Sequence, residues 1–161
     1  MQLHPFDVSV FSNIPLWAAF FSWCSAQGIK LVLDFAKSRR VDFRYFVSTG
    51  GMPSAHSATV SGLAASTGLV AGWDSPALAV SAVFAIITMF DAATVRRAAG
   101  LQARVLNEIV EELRKDRRLR PAKLKELLGH TRKEVLAGLV WGVAFSSVFT
   151  VVWTRIAERG G

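Results

Sequence analysis

Cysteine is nearly absent from this sequence: Cys24 is its only one. That excludes an internal disulfide framework and a multi-thiolate metal site. Histidine is scarce too, with His4, His56 and His130, which leaves little for a histidine-based zinc site. Charge is the third shortage. Only 19% of the residues are charged, against about 25% in soluble domains. Acids are the rarer sign, 12 against 19 Lys and Arg, so the chain is no acidic disordered tail. What remains is a basic, apolar chain of 161 residues with a net charge of +7 and 52% hydrophobic residues, a length that suits one domain.

The missing charges leave long gaps. No Asp, Glu, Lys or Arg occurs in residues 8–29, 45–73, 75–90 or 135–154. A helix that crosses a bilayer needs about 20 mostly apolar residues. The first and fourth gaps are that long, and the third is if its helix runs on through Asp91. The second is rich in Ser, Thr and Gly and predicts a helix facing other helices, because small residues allow close packing in membranes. A soluble bundle of four such helices would have almost no polar surface to cover it. The expected fold is all-α, an integral membrane helical bundle with about four transmembrane helices, forming a single domain over residues 1–161. In residues 101–115 the apolar positions Leu101, Val105, Leu106, Ile109, Val110 and Leu113 oppose Arg104, Glu108, Glu111 and Lys115. That pattern predicts an amphipathic helix at the membrane interface.

The segments between the gaps are basic. Lys37, Arg39, Arg40 and Arg44 crowd one of them, and residues 91–134 hold 12 cations against 7 anions. The positive-inside rule puts both segments in the cytoplasm and both termini outside, opposed weakly by Arg155 and Arg159. The expected location is the cell inner membrane. Residues 1–13 carry no Lys or Arg, so the first helix is expected to stay as a span and not to be removed as a signal peptide. That helix runs from about residue 14 to 36, with Lys30 and Asp34 one turn apart on one face. Pro53 suits the first position of the second helix. The third begins at Pro76 and is expected to continue to Arg97, with a break at Gly100. A short helix is expected over residues 122–128.

Three constellations carry chemistry. Gly50-Gly51-Met52-Pro53-Ser54-Ala55-His56-Ser57 places two glycines before a helix N-terminus, whose unpaired N–H groups make an anion site; it also reads as an ordinary glycine-rich turn with a helix cap. His130 and Glu134 are four apart, so they share a helix face. A carboxylate on one ring nitrogen leaves the other free as base or nucleophile, although a helix-start histidine beside a solvated Glu gives the same spacing. Asp91, followed by Arg96 and Arg97, is an ionisable residue within a span and so a functional candidate; pairing with a nearby Arg to lower its burial cost is the alternative.

Taken together, Lys37-x6-Arg44, Pro53-Ser54-Ala55-His56 and His130-x3-Glu134 resemble the three signatures of the type 2 phosphatidic acid phosphatases, K-x6-R-P, P-S-G-H and S-R-x5-H-x3-D. The runs GGMPSAHS, FDAATVRRAAGLQA and GHTRKEV resemble more closely the divergent branch of that superfamily, also described as acid phosphatase/vanadium-dependent haloperoxidase-related. The resemblance covers residues 35–142. It implies that His130 is a phosphate-attacking nucleophile, Glu134 its orienter and His56 the general acid. It also implies that Lys37, Arg44, Ser54 and the Ala55 amide bind phosphate, in a cradle that Gly51 and its neighbour Gly50 are expected to form with the helix start. The chain departs from the pattern at Tyr45 for Pro, Ala55 for Gly and Glu134 for Asp. Lys123-Leu124 stand where Ser-Arg is expected, and Arg96 or Arg97, near Asp91, is the substitute cation considered.

The function this implies is a metal-independent lipid phosphate phosphatase acting on a membrane phosphomonoester or pyrophosphate through a phosphohistidine. No metal and no cofactor are expected. The rival reading is a non-enzymatic membrane protein that binds or translocates an anionic lipid. The bilayer is the expected partner, with self-association into a homo-oligomer left open. Nucleic acid is not expected, because the cations lie beside the spans and the aromatics within them.

Overall fold

The structure, a computed structural model, describes residues 10–39, 51–115 and 129–160. The short helix expected over residues 122–128 lies outside them. A single 3-10 turn, Val10–Ser12, leads into five helices: α1 Ile14–Ser38, α2 Ala55–Ala71, α3 Pro76–Ala93, α4 Val95–Lys115 and α5 Arg132–Gly160. Among the described residues there is no strand.

Local chemistry sets the helix ends. Asn13 starts α1, its side chain accepting the Leu16 N–H at 3.1 Å. Ser75 does the same for Leu78 at 3.2 Å, ahead of Pro76 at the first position of α3. In α2 the expectation about Pro53 is corrected. The helix begins at Ala55, and Ser54 is its cap, accepting the Ser57 N–H at 3.4 Å. A serine hydroxyl satisfies an orphan amide where proline can only omit one. The break after α3 is also corrected. It falls at Thr94 and not at Gly100, which is buried within α4. The Thr94 hydroxyl donates to the Phe90 carbonyl at 2.6 Å, a side-chain bond that competes with the helical ladder.

Three stretches are long and apolar enough to cross a membrane: Ile14–Ala36, Pro76–Leu113 and Arg132–Arg159. At 1.5 Å per residue, the 17 residues of α2 reach about 26 Å, and α2 sits in the middle, packed against α1, α3 and α5. The fold is therefore an all-α membrane bundle built around α2, a helix without charged residues and rich in small and hydroxyl side chains. Large apolar side chains such as Val80, Ile86, Phe90, Val148 and Ile156 face outward, where lipid replaces water.

The interior is made of small residues. Ala26 of α1 packs on Ala55 and Ala58 of α2, with Trp23 alongside. Gly138 and Gly142 of α5 form a Gly-x-x-x-Gly seam against α2. A Cβ at Gly138 would overlap the Ser54 carbonyl, and one at Gly142 the Ala58 carbonyl and the Ser61 hydroxyl. Such contacts let backbones approach where no hydrophobic force drives helices together. Polar cross-links add to them: Ser66 to Thr150 at 2.7 Å, Ser61 to the Leu139 carbonyl at 3.3 Å and Trp141 Nε1 to Ser25 Oγ at 2.9 Å. The first two pairs make α2 run parallel to α5, and the approach of Gly62 to Ser22 and of Gly51 to Lys30 makes it antiparallel to α1. On α4, Leu101, Val105, Ile109 and Leu113 form an exposed apolar stripe, while Arg104 and Glu108 pair at 3.2 Å on the polar side.

Candidate functional site

The helix directions bring four chain segments to one end of the bundle: the second half of α1, the start of α2, the end of α3 and the start of α5. Leu136 and Val140, 60% and 64% exposed, begin the lipid-facing surface of α5 directly below Arg132 and Lys133. This end of the bundle therefore lies at membrane-interface level.

Thr131 and Glu134 start α5 as a capping box. The Glu134 N–H donates to Thr131 Oγ1 at 3.3 Å, and Glu134 Oε2 accepts the Thr131 N–H at 2.7 Å, satisfying two orphan amides reciprocally. His130 precedes this box and is 3% exposed. Its Nδ1 lies 3.4 Å from Glu134 Oε2. That is ion-pair distance, but the alignment is too poor for a hydrogen bond, and both ring nitrogens are buried with no hydrogen-bond partner among the described residues. Burial pushes the His130 imidazole below its ordinary pKa. The charge of Lys30 pushes the same way, Glu134 opposes it, and His56 adds a smaller downward push. The neutral ring, with a lone pair to offer, is thereby favoured.

His56 occupies the first turn of α2 and is exposed. Its ring centroid is 6.2 Å from that of His130, with the planes tilted by 60°. An atom held about 3 Å from a nitrogen of each ring fits that separation. Gly51 stands beside them at φ +90°, a conformation that side chains rarely adopt. Ser54 is fully buried, and its N–H donates to the Glu134 carbonyl at 3.0 Å, which ties α2 to α5. Its Oγ accepts from both the N–H and the hydroxyl of Ser57, leaving its own hydrogen to donate. The Ala55 amide, at the first helical position, has no intrahelical acceptor.

The other expected site residues are less closely gathered. Asp91 is half-buried in the last turn of α3, at the same end of the bundle. Arg96 and Arg97 lie in the first turn of α4 and Lys37 near the end of α1, their side chains outside the described residues. Arg44 lies outside them altogether. Among the described residues no three His, Cys, Asp or Glu side chains group as metal ligands.

One residue of the cluster was not anticipated as part of it. Lys30 is 5% exposed, and its charge acts on both His130 and Glu134. A signal was available, since a lysine inside an apolar helix is a functional candidate by default. Pairing it with Asp34 on helical spacing hid that signal.

Comparison with known proteins agrees with this architecture. The chain is 42% identical over 152 residues to the uncharacterized membrane protein YuiD of Bacillus subtilis (strain 168), an alignment covering 88% of this chain and 96% of that protein. No solved structure matches. The model of the divergent PAP2 family matches residues 11–145, a stretch that holds α1 to α4 and the His130–Glu134 corner, and the chain belongs to that family.

Proposed function

We propose that this membrane protein is a metal-independent phosphatase of lipid phosphates. The observation that carries the reading is the approach of His56 and His130, one exposed and one buried, across 6.2 Å at the N-terminus of α2. Nδ1 of His130 faces Glu134, so Nε2 is the atom that attacks. It forms a bond to phosphorus as the bond to the lipid oxygen breaks, and His56 donates the proton that the leaving oxygen needs. Water then attacks the phosphohistidine, releasing inorganic phosphate and restoring His130. The Ala55 amide, the Ser54 hydroxyl and the dipole of α2 hold the phosphoryl oxygens. To the same charge we assign Lys37, near the end of α1, Arg96 and Arg97, in the first turn of α4, and Arg44 by its place in the sequence signature. An acyl chain fits the open apolar groove between α2 and α3, lined by Leu63, Thr67, Pro76, Ala77, Val80 and Phe84. That groove begins eight residues along α2 from Ala55, about 12 Å at 1.5 Å per residue. The site faces the cytoplasm, on the inner membrane, in keeping with its basic flanks.

The test is purified protein in detergent, assayed on several lipid phosphates. His130→Ala should abolish turnover. His56→Ala should cost about 10²–10⁴-fold, and less on a substrate whose leaving group needs no proton. Glu134→Gln should fall between wild type and His130→Ala. EDTA should leave the activity intact, and vanadate should inhibit. Full activity in His130→Ala would refute the nucleophile. Wild-type protein that binds phosphate but turns over no lipid phosphate would favour a lipid-binding or translocating protein instead, a reading that fits the prior commitment of Glu134 Oε2 to the helix cap.

A further inference from the structure

We propose that Lys30 of α1 is a phosphate-binding residue of this site and supplies the cation that is missing where Lys123-Leu124 replace the expected Ser-Arg. The inference rests on the anion site of the preceding section, but not on turnover there.

Lys30 is buried inside a membrane helix, where an ammonium group is costly unless it meets an opposite charge. Among the described residues no carboxylate lies within ion-pair distance of it. Asp34, one turn along, makes no ion pair with it; the Ser38 hydroxyl that lies 3.5 Å from its carboxylate donates to the Asp34 carbonyl at 3.0 Å. Glu134 acts on Lys30 electrostatically, yet Glu134 Oε2 is held by the Thr131 amide at 2.7 Å. The stem of Lys30 passes under Gly51: a Cβ there would sit 3.8 Å from Lys30 Cδ. The stem thus reaches the glycine turn, and the charge at its end is felt at the buried His130 ring. Both nitrogens of that ring lack partners. A buried cation, an unpartnered imidazole and a helix N-terminus thus gather at one end of the bundle, and a single bound anion suits all three. A phosphate monoester or free phosphate has that chemistry, with oxygens enough for Lys30 and the Ala55 amide while its phosphorus faces His130.

The experiment measures binding of inorganic phosphate and orthovanadate to the full chain in detergent, separately from lipid phosphate turnover. Lys30→Met should weaken both anions by about ten- to hundredfold, the range for a lost hydrogen bond to a charged group, while the protein stays folded by size and thermal unfolding. Lys30→Gln carries the same comparison if the Met variant does not fold. Lys30→Arg should restore affinity to within severalfold. If Lys30 were only a counter-ion to Glu134, the double variant Lys30→Met with Glu134→Gln would bind as tightly as wild type, whereas a phosphate ligand leaves the double variant weak. A second readout is the titration of the His130 ring by NMR. Lys30 from α1, His56 from α2 and Glu134 from α5 all face that ring, and removing the Lys30 charge should move its titration upward. Unchanged anion affinity in both Lys30→Met and Lys30→Gln overturns the proposal. Loss of turnover without loss of binding does so as well. Wild-type protein that binds but does not turn over overturns the phosphatase reading alone.

Discussion

Replacing Gly138 with alanine tests whether the α2–α5 seam positions the candidate site. An added Cβ would overlap the Ser54 carbonyl and crowd Cβ of Ser57. The carbonyl is backbone, so rotamer changes cannot relieve the overlap and the helices must separate. Overpacking of this kind costs about 1–3 kcal/mol. Separation also stretches the 3.0 Å bond from the Ser54 N–H to the Glu134 carbonyl, and a buried donor left unpaired costs about 1–3 kcal/mol more. Alanine returns about 1 kcal/mol of helix propensity. The net expectation is a loss of about 3 kcal/mol. Gly28 is the internal control: a Cβ there meets nothing within 4 Å, so Gly28→Ala should gain about 0.5–1 kcal/mol from propensity alone. Reversible unfolding in detergent measures both. Phosphate affinity should fall in Gly138→Ala and hold in Gly28→Ala. Equal stabilisation by the two substitutions would refute the seam.

The depressed pKa of His130 sets two pH dependences. The folded chain favours the neutral ring, so below the ordinary imidazole value of about 6.5 the unfolded chain takes up the proton first. Stability should therefore fall as pH drops through 6.5 toward the folded value, and His130→Phe should flatten that dependence in a chemical-denaturation series. If His130 is the nucleophile, the acid limb of kcat/KM should lie below 6.5; a limb above it would count against a neutral His130. Thr131→Ala removes the reciprocal cap of α5 and should cost about 1 kcal/mol in thermal or denaturant unfolding, with Thr131→Ser retaining most of it. A double-mutant cycle of Ser66→Ala and Thr150→Val should return a coupling of about 0.6 kcal/mol, the usual size for a hydrogen bond between membrane helices; zero coupling would mean that the 2.7 Å contact is inert.

The membrane bundle was legible because charge-free gaps of spanning length are a one-dimensional signal. The spacing from His130 to Glu134 was legible for the same reason, since a helix converts four residues into one face. What the sequence hid is how faces meet. Lys30 and Asp34 share a helix face by spacing, yet Lys30 alone turns its charge on Glu134 and His130, and nothing within α1 states where α5 will lie. The capping box Thr131-x-x-Glu134 was readable, but Glu134 drew attention as a partner of His130, and one carboxylate turned out to serve the backbone first. The break at Thr94 was missed because Gly100 is the conventional breaker, while a threonine hydroxyl that bonds back to Phe90 depends on its rotamer.

The central position of α2 also constrains the order in which the protein assembles. This helix carries Ser54, Ser57, Ser61, Ser66 and Thr67 buried among its neighbours, and much of that face is covered by α5, which the ribosome makes some 80 residues later. Until α5 enters the bilayer, the Ser54 amide has no Glu134 carbonyl to meet, and the Ser66 hydroxyl has no Thr150. Ser57, Ser61 and Thr67 bond within α2 or to its cap, so a nascent chain that has inserted only its first three helices lacks chiefly the Ser66 partner, inside the bilayer, and the Ser54 partner, at its interface. Such a chain lacks the bonds that tie α2 to α5 until its last helix arrives. The segment that leads into α5 delivers His130, so the candidate site comes into being only when the membrane fold is closed.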